Sequence, residues 1–432
     1  VEARLAPQCS VRYEIMRERI RSFLVSTTTT ITCFQEIDTM HQSEDELVRT
    51  FVEHIRIGEC SGYGSILRDK KTKIHNFVTR DVELSIHVYQ LQRQGAVEEY
   101  GDSGSGDMDD SVMMAHHWTL PCEELEGVWD SLIFEDRLEV KLLEYVYTTI
   151  LFSDKNVNPH LVSWNRVVLL HGPPGTGKTS LCRGLAQTLG IRLSRRYLFH
   201  FTKLLEINCH SLFSKWFSES GKLVHRMFDQ IWRMVDDDDT FVCVLIDEVE
   251  SLAAARKAAL SGNEPSDSIR VVNALLTQID RLKRRKNVLV LTTSNITEAI
   301  DIAFIDRADI KMYIGLPPPK AIYSILCSSL NELWRAGIIH ANVSRSSFFE
   351  NLWHYSAHNP EHSQILSQAT ELKRISELAQ GMSGRAIRKL PFLAHANYLQ
   401  VSVSTMGAFL EALQRTVHDE QLSNARLREE RS

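Results

Sequence analysis

The stretch HGPPGTGKTS, His171 to Ser180, decides how this chain is read. It places three glycines and two prolines directly before Lys178, Thr179 and Ser180, and it follows the apolar run Val167-Val168-Leu169-Leu170. Gly172-Pro173-Pro174-Gly175-Thr176-Gly177-Lys178-Thr179 fits a pattern in which small residues let successive backbone N–H groups curl round an anion. In that pattern Lys178 is expected to pair with the β- and γ-phosphates of ATP, and the Thr179 hydroxyl to ligate Mg2+. The apolar run predicts a buried parallel strand, and the residues from Ser180 to Leu189 predict a helix whose positive N-terminal end faces the phosphates. A plain glycine–proline turn needs neither strand before nor helix after it.

Outward from this loop, strands and helices alternate over residues 165–316, the pattern of a parallel sheet covered by helices on both faces. Pro317-Pro318-Pro319 punctuates the chain, and helical spacing over 321–336, 369–380, 383–399 and 405–418 predicts an α-helical C-terminal domain, 317–432. On the other side, residues 138–152 read as a long helix leading into the nucleotide module, within a linking segment 111–164. Residues 1–110 predict a separate mixed α+β domain, with a helix over 12–25 and a half-buried strand where Val82, Leu84, Ile86 and Val88 alternate with polar neighbours. Residues 98–110, acidic and glycine-rich, read as a flexible excursion. The pair His116-His117 beside Trp118 lacks a nearby third metal-type residue and reads as packing.

Bulk properties narrow the function classes. A chain of 432 residues implies two or three domains. Its net charge of −6 argues against a mainly electrostatic nucleic-acid binder, and no apolar run approaches the roughly 20 residues that span a bilayer. No direct nucleic-acid contact and no membrane are expected. The eight cysteines are scattered without a Cys-x-x-Cys pair, which suits a reducing cytosol or nucleus.

A second catalytic element is expected at the carboxyl edge of the sheet. The apolar run 241–246 ends in Asp247-Glu248, where ligands gather in open α/β sheets. Asp247 is placed to hold the metal, largely through water, and Glu248 to orient and deprotonate an attacking water, a form of assistance worth typically about 10²–10⁴ in rate. Residues 287–295 form another such run, and its terminal Asn295 can reach both water and γ-phosphate. Arg307 and Arg385 either make surface ion pairs or serve charge development on the γ-phosphate. An arginine supplied from outside a site can be worth about 10³–10⁵ in phosphoryl transfer. Arg307 would then act on a neighbouring subunit's ATP and Arg385 on its own.

Together Gly172–Thr179, Leu245-Ile246-Asp247-Glu248, Thr292-Thr293-Ser294-Asn295 and Ser383-Gly384-Arg385 resemble the AAA+ ATPases, typically ring hexamers. Residues 151–157, 211–222, 264–267 and 388–395 are similar to the pachytene checkpoint protein 2 family, also called thyroid receptor-interacting protein 13. The resemblance runs from about Trp118 to Leu316 and returns from Leu378 to Tyr398. It implies a homo-hexamer that partially unfolds HORMA-domain proteins, converting a closed, partner-bound form to an open one with help from a HORMA-type adaptor. It further implies roles in the spindle assembly checkpoint, the meiotic chromosome axis and recombination, in nucleus and cytoplasm, at chromosomes and kinetochores. Many AAA relatives carry two arginines in the region 301–310, whereas this chain has Arg307 alone; an arginine at 385 favours the checkpoint family.

Where force would be applied is also written in the sequence. Lys215-Trp216-Phe217 sets two large aromatics between Leu212-Phe213 and the polar 218–221; either they pack under the next helix, or, as the resemblance implies, they project into a central channel and grip an extended chain. A second channel loop over 253–259 competes with a plain alanine-rich helix. The acidic run 236–239 reads as a solvated turn, and the basic run 281–286 follows a helix end, where cations are favoured. Two alternatives stand beside the remodeller: a microtubule-severing AAA protein, since Ser214-Lys215-Trp216 also resembles that group, and a nucleotide-gated scaffold that binds but barely hydrolyses ATP.

Overall fold

The computed structural model describes residues 1–28, 30–32, 35–37, 39, 43–58, 76–79, 82–101, 112–134, 137–158, 161–162, 164, 166–193, 201–209, 220–237, 239–252, 267–295, 302–340 and 363–429. Chain packing separates two units: Val1–Trp129 with Cys182–Asp247 and Ala254–Leu291, and Asp130–Leu181 with Glu248–Ala253 and Thr292–Ser432.

In the first unit, strands β1 (Glu2–Leu5), β3 (Glu36–Ile37), β4 (Val52–Arg56) and β6 (His87–Tyr89) form a sheet of order β3-β4-β1-β6. β2 (Thr30–Thr32) and β5 (Asn76–Val78) make a separate antiparallel pair. Helix α1 (Tyr13–Thr27) contributes Met16, Ile20, Phe23 and Leu24 to the same core as Ala3, Leu5 and Ile55, because residues three and four apart share a helix face. Asp45 caps the short α2 (Glu46–Phe51), accepting from Leu47 N at 2.9 Å. The strand expected over 82–88 is shorter than its alternation suggests. Leu84, Ile86 and Val88 are buried, yet only His87–Tyr89 pair, in parallel with Glu2–Arg4.

The central sheet is seven-stranded, with order β13-β9-β12-β11-β10-β8-β7. Its strands are β7 (Val97–Gly101), β8 (Val112–Leu120), β9 (Val167–His171), β10 (Phe201–Asn208), β11 (Thr240–Asp247), β12 (Val288–Ser294) and β13 (Ile310–Tyr313). β10 runs parallel to β11 and β13 parallel to β9, as expected of the alternating region. Two strands correct the sequence reading. Residues 98–101, the start of the expected excursion, instead belong to β7 and pair with β8, and residues 112–120, expected in the linking segment, form a nine-residue strand antiparallel to β10. Backbone pairing to a sheet edge orders β7, and β8 adds to its pairing the burial of Ala115, Trp118 and Leu120. Residues 102–111 lie outside the described ones.

Helices α3 (Leu138–Asp154), α4 (Lys178–Leu193), α5 (Ser220–Val235), α6 (Asp267–Leu282) and α7 (Ile302–Arg307) alternate with these strands. α4 is shaped for close contact within the first unit: a Cβ on Gly184 would lie 3.1 Å from the Trp129 backbone and one on Gly190 3.0 Å from Leu120. Between them Gln187 accepts from Cys122 N at 3.1 Å and donates to Cys122 O at 2.9 Å. At the helix end the Arg192 guanidinium meets Glu2 at 2.6 Å, both side chains nearly buried.

Beside the His116-His117 pair, the Trp118 ring packs inward, with the His116 ring 5.9 Å from it. Trp118 is buried and donates to Glu124 at 2.9 Å. The basic run is held internally: Arg281 and Arg285 lie over the Trp232 ring at 4.8 and 5.5 Å. In the acidic turn Asp237 accepts from Thr240 Oγ1 at 2.7 Å and Asp239 N at 3.2 Å, which draws its carboxyl below the usual range.

The C-terminal part of the second unit is the expected helical domain: α8 (Pro319–Arg335), α9 (Ser363–Leu378), α10 (Gly384–Ala394) and α11 (Met406–Glu429), around Leu326, Leu330, Leu372, Ile387 and Phe409. It also carries a small parallel pair, β14 (Ile339–His340) with β15 (Ser404–Thr405). The helix expected over 383–399 is regular only to Ala394 and then widens into a π turn, His395–Leu399, closed by Gln400 N donating to His395 O at 3.0 Å. No helix among the described residues is long and apolar enough to cross a membrane.

Candidate nucleotide-binding and hydrolysis site

β9 is buried through Leu170, and the chain leaves it at His171 to form the 172–177 loop before α4 begins at Lys178. Burial, and next the Lys178 ammonium, hold the His171 ring's pKa below its ordinary value. Gly172 is wedged between two strand ends: its N–H donates to Ser294 O at 3.2 Å, and a Cβ there would lie 2.1 Å from Ile314 O. Gly175 adopts φ 75°, and Gly177 φ 97°, so left-handed residues flank Thr176, the backbone form of an anion-binding concavity. The Lys178 side chain is buried and lies against this loop, its Nζ 2.9 Å from Gly172 O and 2.7 Å from Pro173 O. Thr176 Oγ1 donates to Pro173 O at 3.0 Å. A buried ammonium beside such a loop, at the positive end of a 16-residue helix, fits a polyphosphate. Pro174 is exposed, while Thr179 and Ser180 are half-buried in the first turn of α4.

The helical domain meets this loop at Gly175. Arg385 N donates to Gly175 O at 3.0 Å, and a Cβ on Gly175 would come within 2.8 Å of Ser383 Oγ. Ser383 is the N-cap of α10, accepting from Ala386 N at 3.3 Å. The start of α10 is thus seated on the loop, with the Arg385 side chain exposed beside it. Leu132 and Phe134 lie on the other side, 3.5 and 3.6 Å from where a Cβ on Gly177 would stand.

The carboxylates follow from β11, buried from Thr240 to Ile246 and half-buried at Asp247. Magnesium prefers hard oxygen donors, and the Asp247 carboxylate is a donor of that kind. Glu248 then takes φ 59°, a left-handed conformation rare outside glycine, and turns the chain. Residues of β12 hold the turn: Glu248 N donates to Thr293 Oγ1 at 3.4 Å and Val249 N to Thr293 O at 3.0 Å. Asn295, half-buried after the strand end, donates its N–H to Glu250 Oε1 at 3.1 Å.

The structure therefore brings Lys178, Glu248, Asn295 and Arg385 into one unit. Arg307 is in that unit too, half-buried as the last residue of α7. Asp247 closes β11 in the other unit. Lys215, Trp216 and Phe217, and the run 253–259, lie outside the described residues. Sequence reasoning missed Glu250, Leu132 and Phe134, and it named Thr293 and Ser383 only as members of motifs, without the contacts they make. Ser383 had a readable signal, an N-cap residue before a helical run; the others act through contacts distant in sequence.

Three family models match in succession: the TRIP13 N-terminal domain over residues 1–94, the ATPase family associated with various cellular activities (AAA) over 168–316, and the TRIP13-like AAA+ ATPase lid C-terminal domain over 318–421. A pachytene checkpoint protein 2 homolog of Danio rerio is 45% identical over 427 residues, covering 99% of this chain and 95% of that relative. The chain belongs to the pachytene checkpoint protein 2 family. The Homo sapiens family member is 53% identical over 331 residues, 76% of this chain and 74% of its own length. Among solved structures, Caenorhabditis PCH-2 ("C. elegans PCH-2") is similar with a TM-score of 0.74 and 35% identity, each chain covered to 98%. Like the rest of its family, the chain is an AAA+ ATPase and binds nucleotide. The loop and carboxylates described above are where the family's ATPase domain falls.

Proposed function

We propose that this family member works as a homo-hexamer that uses ATP and Mg2+ to open closed HORMA-domain proteins, delivered by a HORMA-type adaptor, in spindle checkpoint and meiotic axis control. The observation that carries this reading is the match of the whole chain, N-terminal domain included, to a pachytene checkpoint protein 2 homolog. A match through both flanking domains favours it over a microtubule-severing protein. Glu248, Asn295 and Arg307 favour hydrolysis over a passive scaffold. Nuclear and cytoplasmic residence, with recruitment to chromosomes and kinetochores, belongs to the same proposal, without direct contact to nucleic acid or membrane.

In this mechanism Lys178 and the N–H groups of residues 172–177 would hold the phosphates, and Thr179 and Asp247 are the residues that would offer oxygen ligands to the metal. Bound magnesium neutralises charge on the phosphate oxygens. Glu248 takes the proton of the attacking water, and Asn295 orients that water. Arg385 faces the same subunit's nucleotide, and Arg307 completes the neighbour's site. Lys215, Trp216 and Phe217 grip the substrate chain. The test mixes the purified chain with a closed HORMA protein, a HORMA adaptor and ATP, and follows the closed-to-open ratio by native chromatography. Conversion by the wild type but not by Trp216→Ala, whose basal ATP turnover persists, is expected. Failure of the wild type to convert any HORMA protein, with ATPase intact, overturns the reading.

A further inference from the structure

We infer that Glu250 is a positioning residue for ATP hydrolysis, acting through Asn295. The inference rests on the roles proposed for Glu248 and Asn295. Three links join the segment 248–250 to the end of β12: Glu248 N to Thr293 Oγ1 at 3.4 Å, Val249 N to Thr293 O at 3.0 Å, and Asn295 N to Glu250 Oε1 at 3.1 Å. The first two are made by main chain and a hydroxyl within the strand. The third differs, because a side chain 45 residues earlier supplies the acceptor for a backbone N–H just past the strand's end.

That link has chemistry suited to positioning. A charged acceptor on a backbone N–H gives a hydrogen bond stronger than a neutral pair. Glu250 is half-buried, and its other oxygen, Oε2, is buried without a hydrogen-bond partner among the described residues. Within the described structure the carboxylate's hydrogen bonding therefore falls on Asn295. Glu250 is also two residues from Glu248, on the segment whose left-handed turn aims the general base. One short stretch thus holds both the group that deprotonates the water and the backbone of the group that orients it. Misplacement of a reacting group by about 1 Å can cost on the order of a hundredfold in rate.

The test uses the full chain and basal ATP turnover, so it needs no protein substrate. Glu250→Ala and the bulkier Glu250→Met remove the acceptor, and Glu250→Gln retains one. Turnover reduced about tenfold to a hundredfold in Ala and Met, with ADP affinity unchanged and the Gln variant near wild type, is the expected result. The decisive arm is the double variant with Asn295→Ala: Glu250→Ala causes no further loss there, whereas a merely structural role lowers turnover again. Wild-type turnover in Glu250→Ala, full loss in Glu250→Gln, or a multiplicative loss in the double variant overturns the inference. Should neither Ala nor Met fold, Glu250→Gln decides alone, retained turnover supporting the role and lost turnover ending it. If Asn295→Ala itself turns over normally, the role of Asn295 fails, and this inference with it. A defect in HORMA opening with all these rates as expected leaves the inference standing and removes the proposed substrate instead.

Discussion

Glu248 has a backbone conformation that its residue type resists. At φ 59° its Cβ crowds the following carbonyl, at a cost of about 1–2 kcal/mol, and the hydrogen bonds of residues 248–250 to β12 offset that cost. Strain kept at a carboxylate beside the nucleotide loop is a reason to assign it chemistry. Glu248→Gln should bind ATP and hydrolyse it at least about a hundredfold more slowly, since the amide cannot take a proton while the phosphate loop is untouched. Lys178→Ala should instead lose nucleotide binding. Titration with a fluorescent ATP analogue beside phosphate release separates the two, and near-normal turnover in Glu248→Gln removes the assignment. Gly175 tests the loop's other face. Its left-handed φ and the 2.8 Å approach of Ser383 Oγ leave no room for a methyl group. Gly175→Ala should destabilise by about 1–2 kcal/mol and push the start of α10 off the loop. Slower turnover, with increased amide exchange at residues 383–386, is the expected sign.

Within the first unit, helix α4 meets the N-terminal strand at its C-terminal end, where Arg192 pairs with Glu2. Its middle is fixed by Gln187, whose amide satisfies both main-chain groups of buried Cys122. Gln187→Leu keeps the volume and strands two buried polar groups, each costing about 1–3 kcal/mol. A lower urea midpoint at unchanged slope is expected, and an unaltered midpoint would show that the two bonds contribute nothing. This helix and β9 were readable because their signals are local: an apolar run, a glycine-rich turn, a helical period. Asp247 and Glu248 were readable for the same reason, at the end of an apolar run. β7 and β8 were not, since residues 97–101 carry an acidic, glycine-flanked composition and gain order from pairing with a neighbour. Contacts across long separations were equally hidden. Nothing near Gly175 announces Ser383, and nothing near Asn295 announces Glu250. The alternation of Val82, Leu84, Ile86 and Val88 marked the burial of Leu84, Ile86 and Val88 correctly and the extent of pairing wrongly, because burial depends on the side chain and pairing on backbone bonds to a neighbour.

At the scale of the molecule, the proposed mechanism needs a source of selectivity, because a motor that pulled on any accessible chain would have none of its own. The nucleotide loop and the carboxylates contain nothing that distinguishes one polypeptide from another, so recognition belongs to the N-terminal domain in the proposed mechanism. There it would concentrate a docked substrate above the channel without tight channel binding. The truncation that tests this must respect the sheet. Removing residues 1–110 would also delete β7 and leave β8 with an open edge, an invitation to aggregate. Residues 1–94 end before Val97 and match the family's N-terminal domain, so they are the piece to remove. One further repair is needed. Arg192 pairs with Glu2 at 2.6 Å in a nearly buried setting, and an ion stripped of its buried partner typically costs about 3–5 kcal/mol. The truncated chain should therefore carry Arg192→Met. That variant is expected to bind nucleotide and hydrolyse ATP at its basal rate, and to lose stimulation by HORMA adaptor plus substrate along with measurable binding to them. The full-length chain carrying Glu2→Leu together with Arg192→Met, which leaves neither buried charge unpaired, serves as the control and should keep stimulation. If the truncated chain is still stimulated in full, recognition lies in the channel or the helical domain, and the N-terminal domain has some other use.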